Sequence, residues 1–274
     1  MNIVVAVGIV VGCVAVSVGA ILLVRRHAPD GSYFHDGDRA SGVFGVLATG
    51  FAVLLGLVVV LAFTSFDQSR AGAETEALLV NQQYETAQFL PAPERDELGG
   101  QLVCYARSVV QQEWPRMDAG TQGDAVNPWG VELFETFRKV DPKTPAQQAA
   151  YAKWMDQTSD REAARNDRMH GAVGVIPTAL WLVLLFSAVV IFGYMLLFAD
   201  SNEPWFVQGA LVGSVTAVVV SSLLLINVLD NPFTSSGGGL KPVAMQRTLR
   251  VLAQQEAVSP DGPLPCDVRG LPAG

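Results

Sequence analysis

Four uncharged apolar stretches divide the chain, and between the second and third lies a long segment whose apolar positions recur at helical spacing. The first stretch runs from Ile3 to Val24 and is closed by Arg25 and Arg26. The second, Val43 to Phe66, is bounded by Arg39 and Asp67. The third extends from about Ala172 to Phe198, and the fourth from about Trp205 to Leu229, ahead of Asp230. A bilayer's hydrocarbon core, about 30 Å thick, is crossed by roughly 20 apolar helical residues, so each stretch is long enough to span it. Trp205 stands where an interfacial aromatic anchor belongs.

Past Phe66 the continuous apolarity gives way to a stripe of Ala73, Ala77, Val80, Tyr84 and Ala87. Those spacings of four and three mark an amphipathic helix, and with no proline before Pro91 it continues the second span. Pro93 suits the first turn of a next helix, with Leu98, Leu102, Tyr105, Ala106 and Val109 on one face, until Pro115 ends it. Residues 115–128 read as a loop and Trp129 to Val140 as a short helix. Thr144 and Pro145 look like the cap and first position of a longer helix carrying Tyr151, Trp154, Met155 and Thr158. No segment shows sustained two-residue alternation. The fold class is all-α: a four-helix transmembrane protein with a helical insert between spans 2 and 3.

The expected division is 1–66 for spans 1 and 2, 67–171 for the insert, 172–229 for spans 3 and 4, and 230–274 for a partly disordered tail. In the tail, Ser235 to Gly239 reads as a joint, Met245, Leu249 and Leu252 suggest a short helix, and the Pro/Gly-rich end starts at Ser259. Pro177 either bends the third span or marks its true beginning. Small residues four apart (Gly8 and Gly12, Ala15 and Gly19, Ala52 and Gly56, Gly209 and Gly213) would let helix backbones approach closely.

Composition narrows the function classes. Of the 274 residues, 50% are hydrophobic, and the net charge is −8. An acidic chain does not displace the counterions of nucleic acid, so that partner is excluded. The three cysteines, Cys13, Cys104 and Cys266, fall in no metal-binding spacing and suggest no disulfide framework. The first stretch could be a secretory signal, or with Gly12-Cys13 a lipoprotein leader, but no basic residue precedes it, which favours an uncleaved span. The spans contain no Lys, Arg, Asp, Glu or His, the residues on which ion-coupled transporters depend. His35, Asp36 and Asp38 read as a solvated acidic loop rather than a metal site, and His27 and His170 as interfacial residues. Gly237-Gly238-Gly239 lacks the lysine a phosphate loop needs. No catalytic, metal or cofactor site is expected, and the chain does not read as an enzyme.

Four crossings put the N-terminus, the insert and the tail on one side of the membrane. Arg70, Arg161, Arg165, Arg168, Lys241, Arg247 and Arg250 lie near span ends on that side, against Arg25, Arg26 and Arg39 opposite. The count predicts a cytoplasmic insert with both termini cytoplasmic, although Arg25-Arg26 directly behind the first span pulls the other way.

On the second span Thr49, Val53, Leu57, Val60 and Thr64 share one helix face, small or apolar throughout. Such a face can line a pore that gates by excluding water, or it can face lipid or pack in a bundle.

Further motifs follow in order: Leu54-Leu55-Gly56-Leu57, Asp67, Glu76-Ala77, Tyr105, Glu113-Trp114-Pro115, Pro177 with Trp181, and Asp230-Asn231-Pro232-Phe233. Over roughly residues 40–240 they resemble the bestrophin-like bacterial membrane proteins that carry the DUF4239 domain. The family likeness is to bestrophins, pentameric anion channels with four spans and a cytoplasmic helical region around a central pore. The resemblance implies a passive, homo-oligomeric, chloride-type channel in the bacterial inner (plasma) membrane, with Thr49, Val53 and Leu57 at a hydrophobic neck. The aromatic neck residues of bestrophins are absent from these positions, and no acidic calcium clasp is matched, so calcium gating is not implied. Gly56, Glu76, Tyr105, Glu113, Trp114, Pro115, Pro177, Trp181, Asp230, Pro232 and Phe233 are expected to be structural. The alternative is a non-conducting membrane scaffold or sensor that binds a cytoplasmic protein partner through a surface of Trp114, Trp129 and Trp154. Under either reading the partners include the lipid bilayer.

Overall fold

The computed structural model describes residues 2–29, 33–121, 127–234, 238–258 and 264–273. Its helices are α1 (Ile3–Arg25), α2 (Gly37–Ala87), α3 (Glu94–Ser108), α4 (Trp114–Asp118), α5 (Pro128–Phe137), α6 (Pro145–His170), α7 (Thr178–Leu197), α8 (Trp205–Asp230) and α9 (Val243–Val258). Among the described residues the β-type pairing found is an isolated bridge between Cys266 and Pro272, so the fold is all-α. The α1, α2, α7 and α8 helices are long and apolar enough to cross a membrane. The chain divides into two compact units, and the boundary falls inside α2, between Thr64 and Ser65.

The first unit holds α1, the N-terminal part of α2, α7 and α8. Asn2 caps α1 by accepting a hydrogen bond from the Val4 N–H. Val14 and Val18 on α1 pack against Gly209 and Gly213 on α8, where an added Cβ would lie 3.4 Å from the valine methyls. Of the four expected small-residue pairs, this is the one that brings two helices together. A Cβ at Gly8, Gly12, Gly19 or Gly56 would meet nothing within the chain. A second seam joins α2, α7 and α8 through Phe51, Val58, Ala62, Leu184, Ile191 and Ile226. The outward faces are also apolar, with Val46, Leu182, Phe186, Val189 and Val218 exposed. Helices that are apolar all round need lipid rather than water as their surroundings.

Residues 172–177, expected to open the third span, are not helical. Pro177 is the residue before α7, with ψ 143°, so it marks the start of the helix and does not kink it. A proline tolerates that position because no helical N–H is required there.

The second unit gathers the C-terminal part of α2, helices α3 to α6, α9 and the C-terminal segment. The predicted continuation of the second span holds: α2 runs unbroken for 51 residues. Gly72 within it serves a close crossing, since a Cβ there would lie 2.4 Å from the Arg168 backbone nitrogen on α6. Leu98, Leu102, Tyr105 and Val109 form the buried face of α3 and its extension. Phe137 of α5 stacks on Tyr151 and Trp154 of α6, at centroid separations of 4.4 and 5.5 Å. Thr144 and Gln147 close a reciprocal capping box at the start of α6, as Thr144-Pro145 suggested. In α9, Met245 and Leu252 are buried.

Three expectations fail here. Pro115 does not end its helix: residues 109–113 form a wider π turn, in which the Trp114 N–H reaches the Val109 carbonyl, and the chain continues as α4. The proline then occupies the first turn of α4, where its missing donor costs nothing. The loop expected at 115–128 therefore begins later, and its residues 122–126 lie outside the described residues. Second, Cys104 and Cys266 are joined by a disulfide, which no local spacing announced across a separation of 162 residues. Third, residues 264–273 are held in place. Besides the disulfide, the Trp129 indole donates to the Gly270 carbonyl at 2.7 Å, and Arg107 Nη1 donates to the Asp267 carbonyl at 3.1 Å. Residues 235–237 of the expected joint and 259–263 of the expected disordered end lie outside the described residues.

Candidate functional site

The apolar face picked out on the second span is built by helix geometry alone. Thr49, Val53, Leu57, Val60 and Thr64 follow one another at three- and four-residue steps on α2. Val53, Leu57 and Val60 are about 60% exposed, and Thr49, Gly56 and Thr64 are exposed as well. The opposite side of the same helix is occupied, with Phe51, Val58 and Ala62 buried and Leu54, Leu55 and Val59 packed beside them. Phe44 leans on the rings of Tyr194 and Phe198 near the N-terminal end of the span. The helix is thus anchored by one face and presents another, without a charge, to whatever lies outside the single chain. Its only polar atoms there are two hydroxyls, and the Thr64 hydroxyl donates to the Val60 carbonyl of its own helix at 2.8 Å.

Asp230, at the end of α8, holds the entry to α7. Its Oδ1 accepts from the N–H groups of Val175 and Ile176 at 2.7 and 2.9 Å, and its Oδ2 from the Trp181 indole at 3.3 Å. The carboxylate satisfies two backbone donors of the non-helical residues just ahead of α7, and its charge faces the positive end of that helix's dipole. Gly174 leaves room for this carboxylate: a Cβ there would lie 3.0 Å from Oδ2. Asp230 thereby ties the end of α8 to Trp181 and to the backbone just ahead of α7.

In the second unit the family-type residues converge on a buried ion network. Arg168 of α6 donates to both carboxylate oxygens of Glu76, from Nε at 2.5 Å and from Nη2 at 3.1 Å, and Nη2 also reaches Glu113 Oε2 at 2.5 Å. The Tyr105 hydroxyl donates to Glu76 Oε1 at 2.6 Å. Glu113, carried by the π turn, accepts further bonds from Asn127 at 2.8 Å and Arg165 at 3.4 Å. Arg161 lies over the Tyr105 ring, 4.8 Å from its centroid, and donates to Gln83. Arg168 and Glu76 are completely buried.

The electrostatics follow from that burial. Desolvation works against an ionised Glu113, but Arg168 and Arg165 overcome it and hold the carboxyl below its ordinary range. Desolvation likewise opposes a charged Arg168, and the two carboxylates more than restore its charge. For Tyr105, burial and then the Glu76 charge both push the phenol well above its ordinary value, so it stays a donor.

Trp114 and Phe233 meet edge-to-face at 5.3 Å, and the Trp114 indole donates to the Leu240 carbonyl at 3.2 Å. The Pro232 carbonyl accepts from the Leu240 N–H at 2.6 Å. Trp114, Trp129 and Trp154 are all buried, at 7%, 3% and 2% exposure, so they are core residues and form no docking surface. Sequence reasoning missed Arg168 as the counterion of Glu76 and Glu113, and Arg161 as the donor to Gln83. The signal was present, because Trp154, Gln157, Arg161, Ala164 and Arg168 continue one helical stripe. Among the described residues no cluster of His, Cys, Asp and Glu could hold a metal ion.

A model of the Bestrophin-like domain matches residues 11–236. No curated protein matches the chain. Several solved structures of a bacterial bestrophin homologue from Klebsiella pneumoniae share the fold. One single-residue variant of it superposes with a TM-score of 0.69 at 14% identity, covering 89% of this chain and 98% of that one. Another variant gives 0.69 at 14% identity, over 90% and 99% of the two chains. A third structure of the homologue gives 0.66 at 14% identity, over 93% and 99%.

Proposed function

Because the chain belongs to the bestrophin-like family, we propose that copies of it assemble about an axis into a passive, chloride-type anion channel. In this reading α2 is the pore helix, Thr49, Val53 and Leu57 form its hydrophobic neck, the assembly is a pentamer, and the location is the bacterial inner membrane. The observation that carries the reading is the uncharged, exposed face of α2, set on a helix whose other face packs through Phe51, Val58 and Ala62. One helix per subunit encloses a pathway only if several subunits surround an axis, which makes self-association a requirement. A ring of such side chains passes ions when it is wide enough to stay wetted and closes by dewetting when it narrows.

The test is reconstitution of purified protein, sized by native mass spectrometry, into chloride-loaded liposomes. A discrete ring that releases chloride supports the proposal; a discrete ring that holds its chloride counts against it.

A second reading, a non-conducting scaffold, draws on Val131, Phe134 and Met155, which lie half-exposed on α5 and α6 in the second unit. A sealed monomer without chloride flux favours it.

A further inference from the structure

From the covalent link between Cys104 and Cys266 we infer that the second unit, with both chain termini, lies on the extracytoplasmic side of the membrane. This goes beyond the channel reading, which works for either orientation. Cys104 is fully buried and Cys266 nearly so, and the bond ties α3 to the C-terminal segment. The surroundings are built to hold that segment: the Trp129 indole, Arg107 and Gln112 donate to the carbonyls of Gly270, Asp267 and Arg269. Disulfides of this structural kind persist where the medium is oxidising and are kept reduced in the cytosol.

The charge pattern is compatible once it is weighed by loop length. Basic residues orient a membrane protein when they flank spans or sit in short loops, whereas segments longer than about 60 residues cross largely regardless of charge. The insert, residues 67–171, is of the second kind along most of its length, while Arg70, Arg165 and Arg168 near the span ends still pull it inward. Its Arg161 and Arg168 are also spent on buried contacts to Gln83, Glu76 and Glu113. The first span usually dominates orientation. Arg25-Arg26 stand directly after it, with Arg39 closing the same loop. Arg25 further donates to the carbonyls of Asp200, Ser201 and Glu203, so the two short loops meet on one face. Lys241, Arg247 and Arg250 in the tail pull the opposite way, and the disulfide decides between them.

Formation of the bond balances by exchange. One cysteine thiolate attacks the disulfide of an extracytoplasmic disulfide-donor protein, giving a mixed disulfide. The second cysteine displaces the donor, which leaves as a dithiol carrying the two electrons and two protons.

The test uses the full-length chain with Cys13→Ser, expressed in the inner membrane of a bacterium with an oxidising periplasm. Thiols are trapped in place with a mass-tagged maleimide, with and without prior reduction. Two reporters, Ser159→Cys on exposed α6 and Asn202→Cys in the α7–α8 loop, are labelled separately in intact spheroplasts with an impermeant maleimide. The expected result is no tag before reduction and two after it, with Ser159→Cys labelled from outside and Asn202→Cys labelled only after lysis. Free thiols at positions 104 and 266 without reductant overturn the inference, as does labelling of Asn202→Cys but not Ser159→Cys from outside. Neither result depends on chloride flux.

Discussion

Arg168 grips Glu76 through two of its nitrogens, at 2.5 and 3.1 Å, across 92 residues of sequence and entirely out of contact with solvent. The pair joins α6 to the part of α2 that lies in the second unit. Isolated in such a place either charge would be intolerable, and together they fix which turn of α6 faces which turn of α2.

Removing one partner should therefore hurt more than removing both. Arg168→Met leaves Glu76 buried and uncompensated, and a cost of about 3–5 kcal/mol is the usual scale for breaking such a pair. The double variant Glu76→Leu with Arg168→Met should recover part of that loss. Thermal unfolding of the detergent-solubilised protein checks the order of the two variants, and equal or greater damage in the double variant would sink the argument.

Stability should fall at both ends of the pH scale for separate reasons. The carboxyl of Glu113 titrates below its ordinary 4.5, so its contribution is complete above that value and drains away as the pH drops through the lower folded value. Tyr105 titrates above its ordinary 10.0, so its contribution is complete below pH 10 and declines as the pH rises beyond it. Melting temperature followed across pH should show an acid limb that Glu113→Gln flattens and an alkaline limb that Tyr105→Phe flattens.

Reduction of the Cys104–Cys266 bond should destabilise the second unit by about 2–5 kcal/mol, the range a long closed loop supports in chain-entropy accounts. Limited proteolysis should then cut residues 264–273 first, because without the bond they are held mainly by three side-chain donors. A tail equally protected with and without reductant contradicts this.

At the α1–α8 crossing, size should matter steeply. Gly213→Ala places a methyl at ordinary contact distance from Val14 and Val18, whereas Gly213→Leu must push α1 away. Cross-linking yield between cysteines placed on α1 and α8 should survive the first change and collapse with the second.

For the proposed neck, Val53→Ala and Leu57→Ala should each increase chloride efflux from liposomes, since shorter side chains widen an apolar constriction and favour its wetting. Unchanged efflux in both variants removes these residues from the neck.

The spans, the unbroken α2 and the Thr144 cap were legible because each is a local pattern: continuous apolarity, a stripe, a capping residue three positions before its glutamine. The partners of those patterns were not. Arg161 and Arg168 look in sequence like a solvated basic run beside a span, but Arg168 is buried against Glu76 and Glu113, which reach it from α2 and the π turn, and Arg161 against Gln83 and the Tyr105 ring. Pro115 reads as a stop until the extra residue of the π turn is known to have moved it into a first turn. The three tryptophans suggested a surface because aromatic residues serve both cores and interfaces, and exposure is decided only by the packing around them.

The link between Cys104 and Cys266 also encloses α7, α8 and α9 within one covalent circuit. A protease that severs the chain once anywhere between those cysteines produces no smaller species on a non-reducing gel, because the two pieces stay tethered. The last two spans are in this sense captive: a nick in a surface loop between the two cysteines cannot release them from the first two until a reductant opens the ring.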